Sequence, residues 1–397
     1  MRSCPFYYFF WSAKTVQKLP FDFDVAPILE AIGCDKRGAA LMALKARIDR
    51  FLIKDLPCGA ANILKQDALS IGADLAVHRD THSCGVSKTD ALLFVSPAQL
   101  KKLIEKEKTQ PFGLKAIAEE LSRFLPVGDE KSARVMGIIN LNDDSFNPAS
   151  RTKPSEALKK AEKMIEDGAA YIDVGAVSSR PGSLAPAPET ELERLKPAID
   201  ALYEAKLYEK AIFSLDSYEP LPIEYALARG FRLINDITGG RDDRVLALAA
   251  KYGAALCVMH MQGDPKTMQD NPTYDDVVQE VDRFFEERVA VALSFGVKEL
   301  ILDVGIGFGK TFTDNLKLIA AHSHFARFGR ELLIGASRKS LINSISPAAV
   351  GDRLGGTIAL HLKAVEYGAS IVRCHDVFEH VQALRVLNAL KSLGERI

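Results

Sequence analysis

Continuous apolar runs, each closed by a polar residue, organise the chain beyond its first third. Leu300-Ile301-Leu302 runs without polar alternation into Asp303, and the chain then turns through Gly305, Gly307 and Gly309 to Lys310. Such a run predicts a strand buried on both faces, as in parallel sheets. The same order recurs from Arg134 onward, with strands beginning near Val135, Tyr171, Ile212, Leu233, Ala255, Leu300, Leu332 and Ser370. Between them the apolar spacing predicts helices such as Pro154 to Asp167, Glu189 to Glu204, Tyr274 to Phe295 and Leu354 to Tyr367. Eight strand–helix units in roughly 260 residues predict a (β/α)8 TIM barrel of the α/β class. A doubly wound open sheet is the alternative, but it rarely uses eight parallel strands, and no GxGxxG opens the first unit.

Residues 1 to 128 read as a smaller α/β domain ahead of a barrel at 134–397. Strands are predicted over Arg50 to Leu56, Ala73 to His78 and Asp90 to Ser96. Helices are predicted over Ala39 to Arg47, Ala60 to Ile71, Pro97 to Lys108 and Leu114 to Phe124. The aromatic stretch from Pro5 to Ala13 is too short for a membrane span and lacks a cleavage signal, so it is expected to form a strand on the first domain. Pro126 to Ser132 is polar and turn-rich, as a linker would be. His78, Arg79, Asp80, His82 and Cys84 lie close together, but their spacing fits no standard metal site, and a solvated loop is the better reading.

Composition narrows the classes of function. At 397 residues, with 47% hydrophobic and 26% charged residues, the chain suits a globular protein of two domains. A formal net charge of −1 offers no footprint for nucleic acid or an anionic membrane surface. The six cysteines are scattered, with no CxxC pair, which predicts reduced thiols and a cytoplasmic setting.

Polar residues close nearly every predicted barrel strand: Asn140, Asp173, Asp216, Asn235, His260, Asp303 and the pair Arg373 and His375. In a closed barrel these ends converge on one rim, where barrel active sites are built. Helix caps would account for the Asp and Ser residues alone. They do not account for Arg373 and His375, alternate residues of one strand that project to the same face. Nor do they account for Ser337-Arg338-Lys339-Ser340 after an apolar strand. Together the rim offers carboxylates and amides for a polar heterocycle, and cations for a phosphate.

These segments, taken in order, resemble dihydropteroate synthase. The matching stretches are Met136 to Asn140 with Asp144-Ser145-Phe146, Ile172 to Gly175 with Ser179-Arg180-Pro181-Gly182, and Ser214 to Tyr218. They continue with Asn235-Asp236-Ile237, Met259 to Gly263, Asp303 to Lys310, Ser337 to Ser340 and Val372 to Val377. The resemblance implies condensation of 6-hydroxymethyl-7,8-dihydropterin pyrophosphate with p-aminobenzoate, giving 7,8-dihydropteroate and pyrophosphate. It implies catalytic roles for Asp303, Lys339, Arg373 and His375, and pterin contacts from Asp216, Asn235, Met259, Asp303 and Lys339. Arg373, His375 and Asn140 would hold the leaving group with Mg²⁺, and Asn140 would be the metal's protein ligand. Arg180, Pro181, Phe308 and Ser340 would surround p-aminobenzoate. A cytoplasmic homodimer without nucleic-acid or membrane partners is expected.

Three departures from the family's usual pattern stand out. The first loop reads Asn142-Asp143-Asp144-Ser145-Phe146-Asn147-Pro148-Ala149-Ser150, the second carries Ala176-Val177-Ser178, and Val304 replaces a usual proline. Residues 1 to 128 have no counterpart in a minimal synthase and show no hydroxymethylpterin kinase or aldolase pattern, so a structural or oligomerisation module is expected there and a bifunctional fusion is not. Two rivals exist, a pterin-dependent methyltransferase and a non-catalytic pterin-binding module. Ser337 to Ser340 speaks against the first, and the combination of Arg373, His375 and Asn140 against the second.

Overall fold

The computed structural model describes residues 25–125, 132–141, 154–177, 186–264 and 267–391. The chain divides into two compact units at Leu125/Pro126, with the end of the chain from Ala389 assigned to the first. The aromatic stretch Pro5 to Ala13 and most of the predicted linker lie outside the described residues.

In the first unit the order is α1 (Ala26–Ala31), α2 (Lys36–Ala46), β1 (Asp49–Pro57), α3 (Cys58–Ser70), β2 (Asp74–Ala76), β3 (Lys88–Val95), α4 (Pro97–Glu107) and α5 (Leu114–Ser122). The three strands form one antiparallel sheet in the order β1-β3-β2. Alternation along β3 buries Ala91, Leu93 and Val95, and these join Leu64, Leu100 and Leu114 in a separate core. Helix α4 starts where a capping box predicts it, with Ser96 and Gln99 satisfying each other's backbone N–H groups. β1 carries a bulge between Ile53 and Leu56, where Asp55 takes a positive φ of 55°.

Two expectations for this unit are corrected. β2 stops at Ala76 rather than His78, because the His78 ring accepts the Asp80 N–H and opens a 3₁₀ turn. The thiols are not all reduced, since Cys58 and Cys84 form a disulfide, while Cys34, Cys257 and Cys374 are free. Backbone pairing of Cys58 with Ser87, together with a bond from the Asn62 amide to the Thr81 carbonyl, folds the later loop onto the start of α3. Among the described residues, no group of three or more His, Cys, Asp or Glu is arranged to hold a metal ion.

The second unit is a closed barrel of eight parallel strands: β4 (Arg134–Asn140), β5 (Tyr171–Gly175), β6 (Ile212–Asp216), β7 (Leu233–Asp236), β8 (Ala255–Met259), β9 (Leu300–Asp303), β10 (Glu331–Ile334) and β11 (Ile371–Cys374). Closure is made by β11, which pairs with β4 as well as β10. Around the strands run α6 (Pro154–Glu166), α7 (Pro188–Glu204), α8 (Pro220–Leu227), α9 (Asp243–Tyr252), α10 (Val277–Ser294), α11 (Phe312–Ala320), α12 (Ser340–Ile345), α13 (Leu354–Glu366) and α14 (Val377–Lys391). Every strand predicted for the barrel is present.

Alternate residues of each strand serve two cores. Ile172, Phe213, Ile234, Leu256, Leu302 and Val372 face the helices in the larger one. Met136, Tyr171, Leu233, Cys257, Ile301 and Ile371 belong to a separate cluster that fills the barrel's interior. The interior is therefore plugged, and chemistry is left to the strand ends.

Candidate active site

Two residues beyond that apolar plug, along the same inward row, the side chains become polar. Tyr171 leads to Asp173, Leu233 to Asn235, Ile301 to Asp303 and Ile371 to Arg373, while Cys257 leads to Met259. Strand register sets these positions side by side, with Asp216 opposite Asn235 and Met259 opposite Asp303. One layer of the barrel thus carries three carboxylates and a guanidinium at the mouth.

Asp173 is fully buried. An ionised carboxylate there would be strongly destabilising unless paired, and its Oδ2 accepts from Arg373 Nε at 2.7 Å and from Asn235 Nδ2 at 3.0 Å. Its Oδ1 accepts nothing from the described residues. The other edge of Arg373 donates to Asp216 Oδ2 at 2.7 Å. Burial pushes the Asp216 carboxyl upward, with Arg373 opposing and Asp173 and Asp236 reinforcing the shift. One guanidinium therefore serves two carboxylates from two other strands.

Across the mouth, Asp303 accepts the Gly305 N–H at 2.8 Å and is pushed upward by burial, against the pull of Lys339. Lys339 donates to the Ile306 carbonyl and lies 4.7 Å from the centroid of the Phe308 ring. Burial lowers its ammonium to about 8, with Asp303 opposing. Lys310 is also buried and lowered to about 7 by desolvation. It donates to the carbonyls of His260 and Phe308 at 3.2 and 2.9 Å, clasping the loop after β9 to the end of β8. Gly305 is needed at that clasp. Its φ is +68°, and a Cβ there would stand 2.0 Å from the His260 carbonyl oxygen.

The β10 and β11 ends are fastened to each other. Ser337 Oγ lies 2.9 Å from His375 Nδ1 and accepts the His375 N–H at 3.3 Å. Burial first, and Arg373 second, lower the His375 imidazole to about 4. Arg338, at a positive φ of 56°, directs its guanidinium to Asp376 (Nε to Oδ2, 3.0 Å). An apolar wall of Ile237, Met259, Met261 and Met268, with Tyr218 and Phe308 against it, completes the described rim.

The structure thus brings together Asp216, Asn235, Met259, Asp303, Phe308, Lys339, Arg373 and His375. Asn140 ends β4, half-buried, and Ser340 opens α12 on the exposed edge. Arg180 and Pro181, and the Asp144-Ser145-Phe146 segment, lie outside the described residues. Two functional candidates were missed from sequence. Asp173 was legible only as a strand-end polar residue, although its place two residues after inward-facing Tyr171 was a usable signal. Lys310 gave no signal of burial, since a lysine after a glycine loop ordinarily faces water.

A plugged barrel with a ring of carboxylates and cations at its strand ends defines a (β/α)8 enzyme acting on a polar, partly anionic substrate. Comparison with known proteins narrows this. A family model described as pterin binding enzyme matches residues 136–375. The bifunctional dihydropteroate synthase/dihydropteroate reductase of Helicobacter pylori is 39% identical over 91% of this chain and 96% of its own length. The dihydropteroate synthase of Escherichia coli K12 is 41% identical over 67% of this chain and 95% of its own. The crystal structure of the Thermus thermophilus dihydropteroate synthase in complex with 4-aminobenzoate matches with a TM-score of 0.60 and 39% identity, covering 66% of this chain and 96% of that one. The chain belongs to the pterin-binding enzymes, among the dihydropteroate synthases, which are transferases.

Proposed function

We propose that the rim joins 6-hydroxymethyl-7,8-dihydropterin pyrophosphate to p-aminobenzoate. The observation that carries this is the inward ring of Asp173, Asp216 and Asp303 with Arg373 and Lys339 set among them. A pterin edge mixes N–H donors with ring acceptors. Asp216, Asn235 and Asp303 meet its donors, and Lys339 donates to a carbonyl or ring nitrogen. The bond to pyrophosphate oxygen breaks ahead of attack, so that positive charge builds on the pterin, and the p-aminobenzoate amine then takes the exocyclic carbon. A C–N bond replaces a C–O bond, pyrophosphate leaves with the electron pair, and the amine loses a proton. The carboxylates lower the energy of positive charge on the ring during that exchange. Arg373 uses for the leaving anion the N–H groups that Asp173 and Asp216 do not engage, with His375 beside it, one residue past the end of β11 rather than within the strand as the sequence predicts.

For Mg²⁺, the half-buried Asn140 amide at the end of β4 supplies a hard oxygen. The donor set suits an ion that takes most of its shell from phosphate oxygens and water. Bound there, it would neutralise charge on the pyrophosphate. Phe308 and Ser340, with Arg180 and Pro181, serve p-aminobenzoate. The proposal includes a cytoplasmic setting and a homodimer, the second of which sedimentation tests.

A second activity is supported by one observation: the bifunctional Helicobacter relative spans 91% of this chain, the Escherichia synthase 67%. From that shared length we infer that the first unit takes part in reduction of dihydropteroate, contrary to the structural module expected from its sequence; a hydride donor of the flavin or nicotinamide class would add two electrons and a proton would complete the saturated C–N bond. The test is purified protein with both synthase substrates and Mg²⁺, with and without a reduced flavin or nicotinamide. Dihydropteroate is expected in the absence of the reductant and its reduced form in its presence. Product formation unchanged by a chelator would remove the metal from the account, and no product at all would remove the synthase reading.

A further inference from the structure

Behind the rim, two histidines on neighbouring helices connect the ends of β10 and β11. The Ala336 N–H donates to Nε2 of His361 at 2.9 Å. Nδ1 of His361 and Nε2 of His380 are 2.9 Å apart, and Nδ1 of His380 lies 2.6 Å from the Asp376 carbonyl oxygen. Both rings are sealed from solvent, at 1% and 2% exposure.

The backbone groups at the two ends decide every proton between them. A peptide N–H only donates, so Nε2 of His361 carries a lone pair. A peptide carbonyl only accepts, so Nδ1 of His380 carries a hydrogen. His361 then holds its own hydrogen on Nδ1 and donates it to the bare Nε2 of His380. A proton added to either ring would point at another N–H, so the chain holds together only with both rings neutral. The surroundings agree. Burial lowers both imidazoles, and His380, then Lys339 and His375, add to the effect on His361. For His380, Asp376 and Glu379 oppose the effect of burial.

We propose that His361 and His380 are positioning residues for the synthase reaction, holding the turn that carries Ser337 and Lys339 at a set distance from the end of β11, where Arg373 and His375 sit. The inference rests on the reading of the site given above. On the front of the two strand ends, Ser337 meets His375 and Arg338 meets Asp376. The histidine pair supplies the matching brace at the back, acting through backbone groups and not through the substrate. Leucine at position 361 would leave the buried Ala336 N–H without an acceptor, whereas the amide oxygen of glutamine reaches the place of Nε2.

The test uses the full chain, its His361→Leu and His361→Gln variants, and nitrogen-resolved imidazole spectra of the wild type at neutral pH. His361→Leu is expected to lower kcat/KM for p-aminobenzoate about ten- to hundredfold, as small misplacements of reacting groups do, and His361→Gln to recover most of it. The spectra are expected to show both rings neutral with the hydrogen on Nδ1. A folded His361→Leu protein with wild-type kcat and KM and only a lower Tm would overturn the proposal. So would a charged ring, or a hydrogen on Nε2 of His361, and this measurement needs no variant to fold. A wild type that makes no dihydropteroate overturns the parent reading and this one with it. Normal wild-type turnover with an indifferent His361→Leu overturns this one alone.

Discussion

Asp303 shows how one side chain is both structural and chemical. Its Oδ1 closes the turn after β9 through Gly305, while Lys339 offsets its charge across the mouth. Asp303→Asn keeps the shape and an oxygen for the Gly305 N–H, and removes only the charge that stabilises a cationic pterin. Turnover is expected to fall on the order of 10²-fold, with calorimetry still showing pterin pyrophosphate binding. Wild-type turnover in this variant would remove Asp303 as an electrostatic contributor. Lys339 makes a separate prediction. Because burial lowers its ammonium to about 8, the charged form predominates below that pH and is lost above it. The rate should therefore fall on the alkaline side. Lys339→Arg, charged throughout, should flatten that limb while lowering the plateau, because a planar fork does not replace an ammonium at the Ile306 carbonyl. An alkaline limb that persists in Lys339→Arg would belong to another group, with Lys310, lowered to about 7, the first to examine.

Among elements, the loop after β9 is the piece most tightly specified by backbone geometry. Gly305→Ala would set a Cβ against the His260 carbonyl at a positive φ, whereas at Gly329, also at positive φ (+61°), a Cβ meets nothing within 4 Å. Denaturant unfolding is expected to show a loss of about 3 kcal/mol or more for the first and about 1–2 kcal/mol for the second. Equal losses would mean that the clasp between β8 and β9 is not under steric constraint. The barrel strands were legible because a parallel strand buried on both faces is written as an unbroken apolar run, as in Leu300-Ile301-Leu302. The polar residue that ends each run marked the rim for the same reason. The pairing of Arg373 with Asp173 was not legible, because it needs barrel closure to bring β11 beside β4 and so one strand away from β5. The Cys58–Cys84 pair, the bulge at Asp55 and the histidine chain were hidden likewise. Each depends on residues far apart in sequence whose local pattern is ordinary.

At the scale of the molecule, eight strands and their helices lie beyond Leu125, and the barrel closes through its own first and last strands. A chain beginning near Asp129 is therefore expected to fold and to keep synthase activity, with any reductase activity lost. A soluble, folded truncation that binds pterin pyrophosphate but makes no dihydropteroate would show that the first unit completes the site. The most direct measurement of the central claim is the stoichiometry of a single turnover by the full-length protein, following pyrophosphate release and p-aminobenzoate consumption together. One pyrophosphate released for each p-aminobenzoate joined to the pterin is predicted, with no release when p-aminobenzoate is omitted beyond a slow hydrolytic background. Pyrophosphate binding without release, or release that never yields a C–N bond, would contradict the account.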